Sequence, residues 1–329
     1  MFDCVTVSVP ARLHLGFLDL NGSTGRRFGS LGLPLSEPET VVTLAHADET
    51  VVEGPDCERA ARHLDTMCRH LDITTHHHLV VEQAIPAHIG LGSGTQMAMA
   101  VAAALRRLHG LEGNVTQDAR LLGRGSRSGI GIASFHEGGL IVDAGRRKDD
   151  AEPPVVARHH FPENWRVILI LDHSDMVGLH GEEEVAAFRA LPPFPVESAG
   201  EICRRVLMQA LPAIVEHDIA TFGEAIEAVQ TVMGTYFAPA QGGLFTSPRV
   251  AEAARLLKEA GAHGLGQSSW GPTGFVFAPS EIDARRMVNA VRGQVDSEIE
   301  LRIVKARNTG ARIVGKSLAP AGRRARSIR

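Results

Sequence analysis

Arg12, His14, Asp19, Arg26 and Arg27 crowd into one stretch, PARLHLGFLDLNGSTGRRFGSLGLPL (residues 10–35), threaded with glycines. Guanidinium forks match carboxylate and phosphate oxygens, and glycines let main-chain N–H groups approach a ligand closely. Arg12, Arg26 and Arg27 are therefore candidates for anionic groups, with Arg26 the strongest. Asp19 could bind a divalent cation, contact sugar hydroxyls or hold an arginine. His14 fits either a donor at the site or a core histidine satisfied by main chain.

Further loops carry similar chemistry. In IPAHIGLGSGTQMAMA (85–100) a strand ends at Pro86, glycines follow at 90, 92 and 94, and a helix starts at once. A helix start offers unpaired N–H groups and the positive end of its dipole. Gly90, Gly92, Ser93, Gly94, Thr95 and Gln96 thus form a candidate phosphate cradle. No Gly-Lys-Ser/Thr follows, so it is not a Walker loop, and the Rossmann spacing is absent. GLGQSSWGPTGFVF (264–277) offers Gln267, Ser268, Ser269 and Thr273, and LGRGSRSGIGIASF (122–135) adds Arg124, Ser126, Arg127 and Ser128. Together the loops point to a multiply phosphorylated small ligand.

The elements that would hold these loops alternate between strand and helix. Apolar residues at every second position mark strands at CVTVSVPARLHLGF and TVVTLAHA, and Met97, Val101, Ala104, Leu105 and Leu108 mark a buried helical stripe over about 94–109. GIGIASFHEGGLIVDAG reads as two short strands around a turn. Helices are expected at about 197–215 and 218–233, the second capped by Asp218, and Ser247-Pro248 opens another that closes at Gly261. EIELRIVKA reads as the final strand. The composition changes at RRKDDAEPPVVARHH, which divides the chain into expected domains 1–155 and 156–329. Interleaved elements with hairpins favour an α+β fold.

Net charge is −4, so no basic field argues for nucleic acid, and a single tyrosine with two tryptophans makes a poor base-stacking platform. Anion binding must come from local arrangement. The C-terminal AGRRARSIR reads as a solvated tail. Cys4, Cys57, Cys68 and Cys203 lack C-x-x-C spacing and read as small buried thiols in a reducing compartment. No apolar run reaches membrane-spanning length and no signal-like N-terminus is visible, so a cytoplasmic protein without membrane contact is expected. His76, His77 and His78 are consecutive on a predicted strand, where only His76 and His78 could share a ligand. A polar strand end is the preferred reading, and no metal ligands are assigned.

Pro10-Ala11-Arg12-Leu13, Pro86 through Ser93 and SSWGPTGFVF resemble, in order and separation, the three motifs of the GHMP superfamily of small-molecule kinases. That resemblance implies an N-terminal domain like ribosomal protein S5 domain 2 and a ferredoxin-like C-terminal domain, with the ligand between. One position departs from the kinases. Where many carry Ser-Gly-Val-Asp, with the Asp as base, this chain has Ser128-Gly129-Ile130-Gly131. The long N-terminal run, SGIGIASFHEGGLIVDAG and GLHGEEEVAAF resemble instead the β-ribofuranosylaminobenzene 5′-phosphate synthases, a non-kinase branch. This resemblance implies that 4-aminobenzoate and phosphoribosyl pyrophosphate are joined with release of CO2 and pyrophosphate, in tetrahydromethanopterin synthesis. It also implies Mg²⁺, no organic cofactor and a homodimer. The turn Gly178–Gly181 could close over substrate, with Glu182 to Glu184 as an acidic helix start. The acidic strand end and Thr-Gly of ordinary phosphoribosyltransferases are absent. The rival readings are an ATP-dependent GHMP kinase using Asp19 or Asp143 as its base, and a non-catalytic phosphate-ligand-binding protein.

Overall fold

The computed structural model describes residues 2–147, 152–174, 186, 187 and 189–317. The 178–184 turn with its glutamates and the basic C-terminal run lie outside them.

Two sheets organise the chain. The first has the order β11-β1-β2-β4-β3, with β5 pairing to β2 and β6 to β5. Its strands are β1 (Cys4–Asp19), β2 (Phe28–Ala47), β3 (Val51–Glu53), β4 (His76–Gln83), β5 (Leu140–Asp143), β6 (Val155–His159) and β11 (Arg312–Lys316). Val5, Val7 and Val9 are buried in the alternation expected of a strand with one covered face. From Pro10 to Phe17 nearly every residue is buried, because this half of β1 lies between the two halves of the molecule. Helices α1 (Cys57–His70) and α2 (Ser93–Leu108) cover the first face, with Leu64, Met67, Met97, Val101, Leu105 and Leu108 packed on the valines. The Met97 stripe is core.

The second sheet has the order β10-β7-β9-β8, built from β7 (Arg166–Asp172), β8 (His263–Gln267), β9 (Gly274–Ala278) and β10 (Ile299–Val304). One face carries α8 (Pro248–Glu259) and α9 (Glu281–Val291). The other packs on α5 (Val196–Arg205), a π-turn at 206–210, α6 (Leu211–Glu216) and α7 (Ile219–Gln241). Asp218 accepts from Thr221 N–H and Ser247 from Val250 N–H, the two expected caps.

Several local expectations change. Residues 28–40, rich in glycine and containing Pro34, form strand rather than loop, pairing with β1 through Leu31, Leu33 and Pro34, with Leu31 and Leu33 buried. The first of the two expected strands at 130–143 is a helix, α4 (Ile130–His136), preceded by the short α3 (Val115–Leu121). Ile130 through Phe135 are all buried, so no one-sided period exists to read, and the free N–H groups of Gly129 and Ile130 are met by Asp143 Oδ2 and Ser128 Oγ. Helix α7 runs on to Gln241. The strand at 299–304 is not the last: β11 returns to pair with β1, and the boundary expected at 155/156 falls inside β6 of the first sheet. The thiols are free, Cys203 exposed and the others half-buried rather than buried. No helix among the described residues is long and apolar enough to cross a membrane.

The two halves meet backbone to backbone. A Cβ on Gly90 would stand 2.1 Å from Ser268 O, and one on Gly271 would stand 2.2 Å from Gly90 N. Gly271→Ala should therefore force the loops apart and cost about 1–3 kcal/mol. The urea midpoint measures it; an unchanged midpoint would show that the joint yields freely.

Candidate anion-binding cleft

The Gly90 carbonyl lies at the centre of this joint. It accepts from Arg12 Nη1 at 2.7 Å and from Ser268 Oγ at 2.8 Å, and Ser268 Oγ in turn accepts from His14 N–H at 3.0 Å. Arg12 N–H reaches Leu91 O at 3.1 Å. Bulges between Pro10 and Arg12 and between His14 and Gly16 turn these side chains off the regular pleat. Ser268 and Thr273 are buried, and Gln267 bonds Thr246 N–H and Ser269 O. Ser268 and Gln267 are thus engaged in holding the loops together, whereas the buried Thr273 Oγ1 has no partner. Ser269 and Gln267 also line a small cavity of mixed polarity with His14, Phe17, Gln230 and Trp270.

Helix α2 begins beside this joint. Gly90 and Gly92 have φ of +86°, the left-handed region that favours glycine. A Cβ on Gly94 would lie 3.1 Å from Arg124 Nη1 and 3.7 Å from Arg59 Nη1, so two guanidinium groups flank the helix start. Arg59 Nη1 reaches Ser93 Oγ at 3.5 Å, and Asp56, 3.4 Å from Arg59 Nε, offsets part of the charge. Burial and then Arg59 lower the Arg124 pKa. Burial, followed by Arg124, Arg59 and Arg62, pushes His63 down to about 4, and its buried Nε2 has no partner. Like charges gathered at the positive end of a helix repel until an anion joins them. Thr95 and Gln96 turn away from this point: Thr95 packs on Gly131, and the fully buried Gln96 donates to Gly131 O.

A second basic surface continues from the first. Arg120, Arg124, Ser126 and Arg146 line one hollow, and Ser126 and Arg146 also line an open cleft of about 700 Å³ with Arg27, Arg127 and Arg189. Phe28, Phe194 and Tyr236 supply aromatic walls. The 19–28 turn forms one side. Asp19 Oδ1 accepts from Asn21 N–H at 2.7 Å and Gly22 N–H at 3.1 Å, and Asn21 Nδ2 ties the turn to Phe194 O at 2.6 Å. Arg27 Nε donates to Leu20 O at 2.9 Å, and its main chain pairs in both directions with Arg146. Arg26 Nε and Nη2 bond Ala144 O and Gly145 O, both at 2.9 Å. Its fork is thus engaged on main chain, supporting the wall that carries Arg146, rather than facing the cleft as expected. Among the candidates, Arg27 and Ser126 line the cleft, Ser93 and Gly94 lie at the helix start, and Ser128 Oγ accepts from Ile130 N–H just before α4. Sequence reasoning missed Arg59, His63, Arg146, Arg189 and Tyr236. Only Arg59 and His63 left a signal, an i, i+4 pair on one face of α1.

The carboxylates proposed for a kinase stand elsewhere. Asp143 is fully buried, accepting from Gly145 N–H at 2.8 Å and Gly129 N–H at 3.1 Å, and burial pushes it up to about 6 despite these bonds. A Cβ on Gly131 would meet Thr95 Cγ2 at 2.8 Å, so no carboxylate fits there without displacing Thr95.

Similarity to known proteins agrees with this geometry. Residues 57–139 match the model of the GHMP kinases N terminal domain, and 210–297 that of GHMP kinases C terminal. A beta-ribofuranosylphenol 5′-phosphate synthase of Methanothermobacter thermautotrophicus is 35% identical over 93% of this chain and 97% of its own. The chain belongs to the beta-ribofuranosylphenol 5′-phosphate synthase family. A second family member, from Archaeoglobus fulgidus, is 35% identical over 92% of this chain and 97% of its own. Homoserine kinase from Cytophaga hutchinsonii shares the fold, with a TM-score of 0.68 at 18% identity over 95% of this chain and 98% of its own. The synthase family therefore uses the two-part α+β frame of the GHMP kinases, as the three motifs implied.

Buried imidazoles make this synthase-family fold acid-sensitive. Burial and then Arg12 hold His14 at about 3, with its own main-chain contact opposing, and His63 lies at about 4; both are below the 6.5 of an unfolded chain. Between those values the unfolded state binds more protons. Their contribution is complete above pH 6.5 and is lost as pH falls toward 4. Stability by urea unfolding should drop over that window, and His14→Gln should flatten the slope by up to about 1.4 kcal/mol per pH unit. An identical slope in the variant would show that His14 takes no part.

Proposed function

We propose that the chain joins a phosphoribosyl group to the ring carbon of a 4-substituted benzoate, releasing CO2 and pyrophosphate. The observation that carries this reading is the continuity of two cationic surfaces with an aromatic-walled cleft. The helix start, with Arg59, Arg124 and Ser93, accepts the diphosphate. Arg27, Arg127, Arg146 and Arg189 offer partners for the 5-phosphate and the benzoate carboxylate, and Phe28 and Tyr236 flank the ring.

As the C1–oxygen bond to diphosphate breaks, negative charge grows on the leaving group, where fixed cations stabilise it most. The ring carbon bearing the carboxylate attacks C1, driven by the electron-donating para substituent. The bond to the carboxylate then breaks, its electron pair restores the aromatic ring, and CO2 departs. No enzyme nucleophile is needed. The described lining of the open cleft has no carboxylate, whereas Glu152 lines the adjoining hollow with Arg120, Arg124 and Arg146 and is the group there that would hold the expected Mg²⁺. In this reading the leaving charge falls to the arginines and to the cation that such a carboxylate would hold.

The resemblance of the sequence points to 4-aminobenzoate, whereas the relatives' name carries a phenol, as 4-hydroxybenzoate would give. Both para groups push electrons to the same carbon. The same resemblance supports a cytoplasmic homodimer in tetrahydromethanopterin synthesis.

Purified protein mixed with Mg²⁺, phosphoribosyl pyrophosphate and carboxyl-labelled 4-aminobenzoate, or 4-hydroxybenzoate, should release labelled CO2 from one of the two acids. Release from neither, with a folded protein, would end this reading. Arg124→Met should lower kcat/KM for the phosphoribosyl donor about 10- to 100-fold, the worth of one charge-assisted hydrogen bond. Arg26→Lys keeps the charge but loses the double bond to Ala144 and Gly145, and should cut turnover by a similar factor. Wild-type turnover in Arg26→Lys would remove that clamp from the mechanism.

A further inference from the structure

At the far end of the first sheet, three histidines converge. His46 on β2 lies directly opposite His77 on β4 in the strand register, and His109 is the residue that ends α2. One ring nitrogen or more from each lies within 4.8 Å of the others. His77 Nε2 and His109 Nε2 are 2.8 Å apart, and the ring centroids of the trio are separated by 5.0–5.9 Å. His77 is 1% exposed, so the preferred reading of 76–78 as a polar strand end fails for its central residue. His76 and His78 turn to the opposite face and find separate partners, Thr50 and Glu53. The strand geometry that denied His77 a neighbour on its own strand leaves it free to meet residues from two other elements.

We propose that His46, His77 and His109 form a binding site for one divalent transition-metal ion of the zinc type, remote from the anion cleft. Three imidazoles and an open fourth position are a usual donor set for such an ion. A tetrahedral centre at zinc–nitrogen distances of about 2.0–2.1 Å needs nitrogens roughly 3.3 Å apart. The His77–His109 pair must open slightly and His46, which is exposed, must swing in. That exposed edge is also the entry path. Nε2 of His77 and of His109 face each other, which places one ring's N–H proton between them; an ion bound there would require that proton to move to Nδ1 of the same ring. Burial, then His109, His46 and His76, keep His77 low, at about 4, and burial with His46 lowers His109. An imidazole ligates in its neutral form. Cys68 Sγ lies 4.0 Å from His77 Nδ1, on the ring edge away from the trio, where it orients the imidazole.

The position has a mechanical consequence. Helix α2 has its N-terminus in the anion site and its C-terminus at His109, about 24 Å away at 1.5 Å per residue. A cation at that end faces the negative pole of the helix dipole. The ion would pin β2, β4 and α2 together and stabilise the frame without touching the cleft.

The test uses tag-free protein stripped with a chelator and titrated with Co²⁺, with excess Mg²⁺ present to fill oxygen-ligand sites. The expected result is one equivalent of Co²⁺ with the visible bands of a tetrahedral or five-coordinate nitrogen site, displaced by Zn²⁺. His77→Gln and His109→Gln should each weaken binding about 100-fold, which is roughly 2.7 kcal/mol. Should either fail to fold, the exposed His46→Gln serves the same purpose. Zn²⁺ should also raise the thermal midpoint of the parent protein but not of His46→Gln. Absence of the bands, or bands unchanged in all three variants, would overturn the proposal.

Discussion

One carbonyl oxygen, that of Gly90, ties together segments that lie far apart in the chain. It accepts from Arg12, 78 residues away, and from Ser268, 178 residues away. A buried carbonyl has two lone pairs to satisfy, and these two donors come from the two segments that must be aligned for a cleft to exist. The donors arrive only because the loops touch without side chains between them at Gly90 and Gly271. Every wall of the basic surface then follows. Strand β1 leaves Arg12 and His14 and runs into the 19–28 turn, Gly92 passes into α2, and Ser268 fixes the second sheet. Orientation of the arginines is thus set by main-chain packing rather than by contacts among the arginines, which repel one another.

The same joint explains what could and could not be read from the sequence. The glycine run followed by a helix was legible because both its signals are local: left-handed turns and a stripe at helical spacing. So were the caps at Asp218 and Ser247. Residue type alone could not say which polar groups face a ligand and which face protein. Arg26, Gln267 and Ser268 are the types that bind phosphate, but the same donors suit main-chain carbonyls, and here the fold uses them to close the joint and support the wall. Helix α4 and the long β2 were misread for a related reason. Burial on all sides removes the polar half of a periodic pattern, leaving glycine and proline as the only visible cue. Arg146, Arg189 and Tyr236 come from separate segments and meet only in the folded chain.

Charge follows the same logic at larger scale. The chain is slightly acidic overall, yet Arg59 and Arg124 stand at one helix start, and Arg27, Arg127, Arg146 and Arg189 line the adjoining cleft. Like charge is costly where it is closest: Arg59 beside Arg124 lowers the Arg124 pKa, a cost that Asp56 beside Arg59 offsets in part. Rigid main chain allows the arrangement: the Asp19 turn, the Arg26 clamp and the Asp143 bonds to Gly129 and Gly145 hold the loops from beneath. Asp143 does so at some cost, since its burial favours the protonated form. Its value lies in geometry.

Position 131 shows how far the frame has moved from phosphorylating a hydroxyl. Accepting a hydroxyl proton calls for a carboxylate near the phosphate loop, and kinases commonly supply one. Here Thr95 from α2 packs into the space a side chain at 131 would need, and Gln96 beside it bonds the Gly131 carbonyl. The missing base is therefore not a single substitution that one reversal would restore; the start of α2 is packed around its absence. A reaction whose nucleophile is an electron-rich ring, and whose carboxylate leaves as CO2, has no hydroxyl proton to remove. Such a reaction would draw on what this frame presents: a helix start flanked by Arg59 and Arg124, arginines along the adjoining cleft and an aromatic wall.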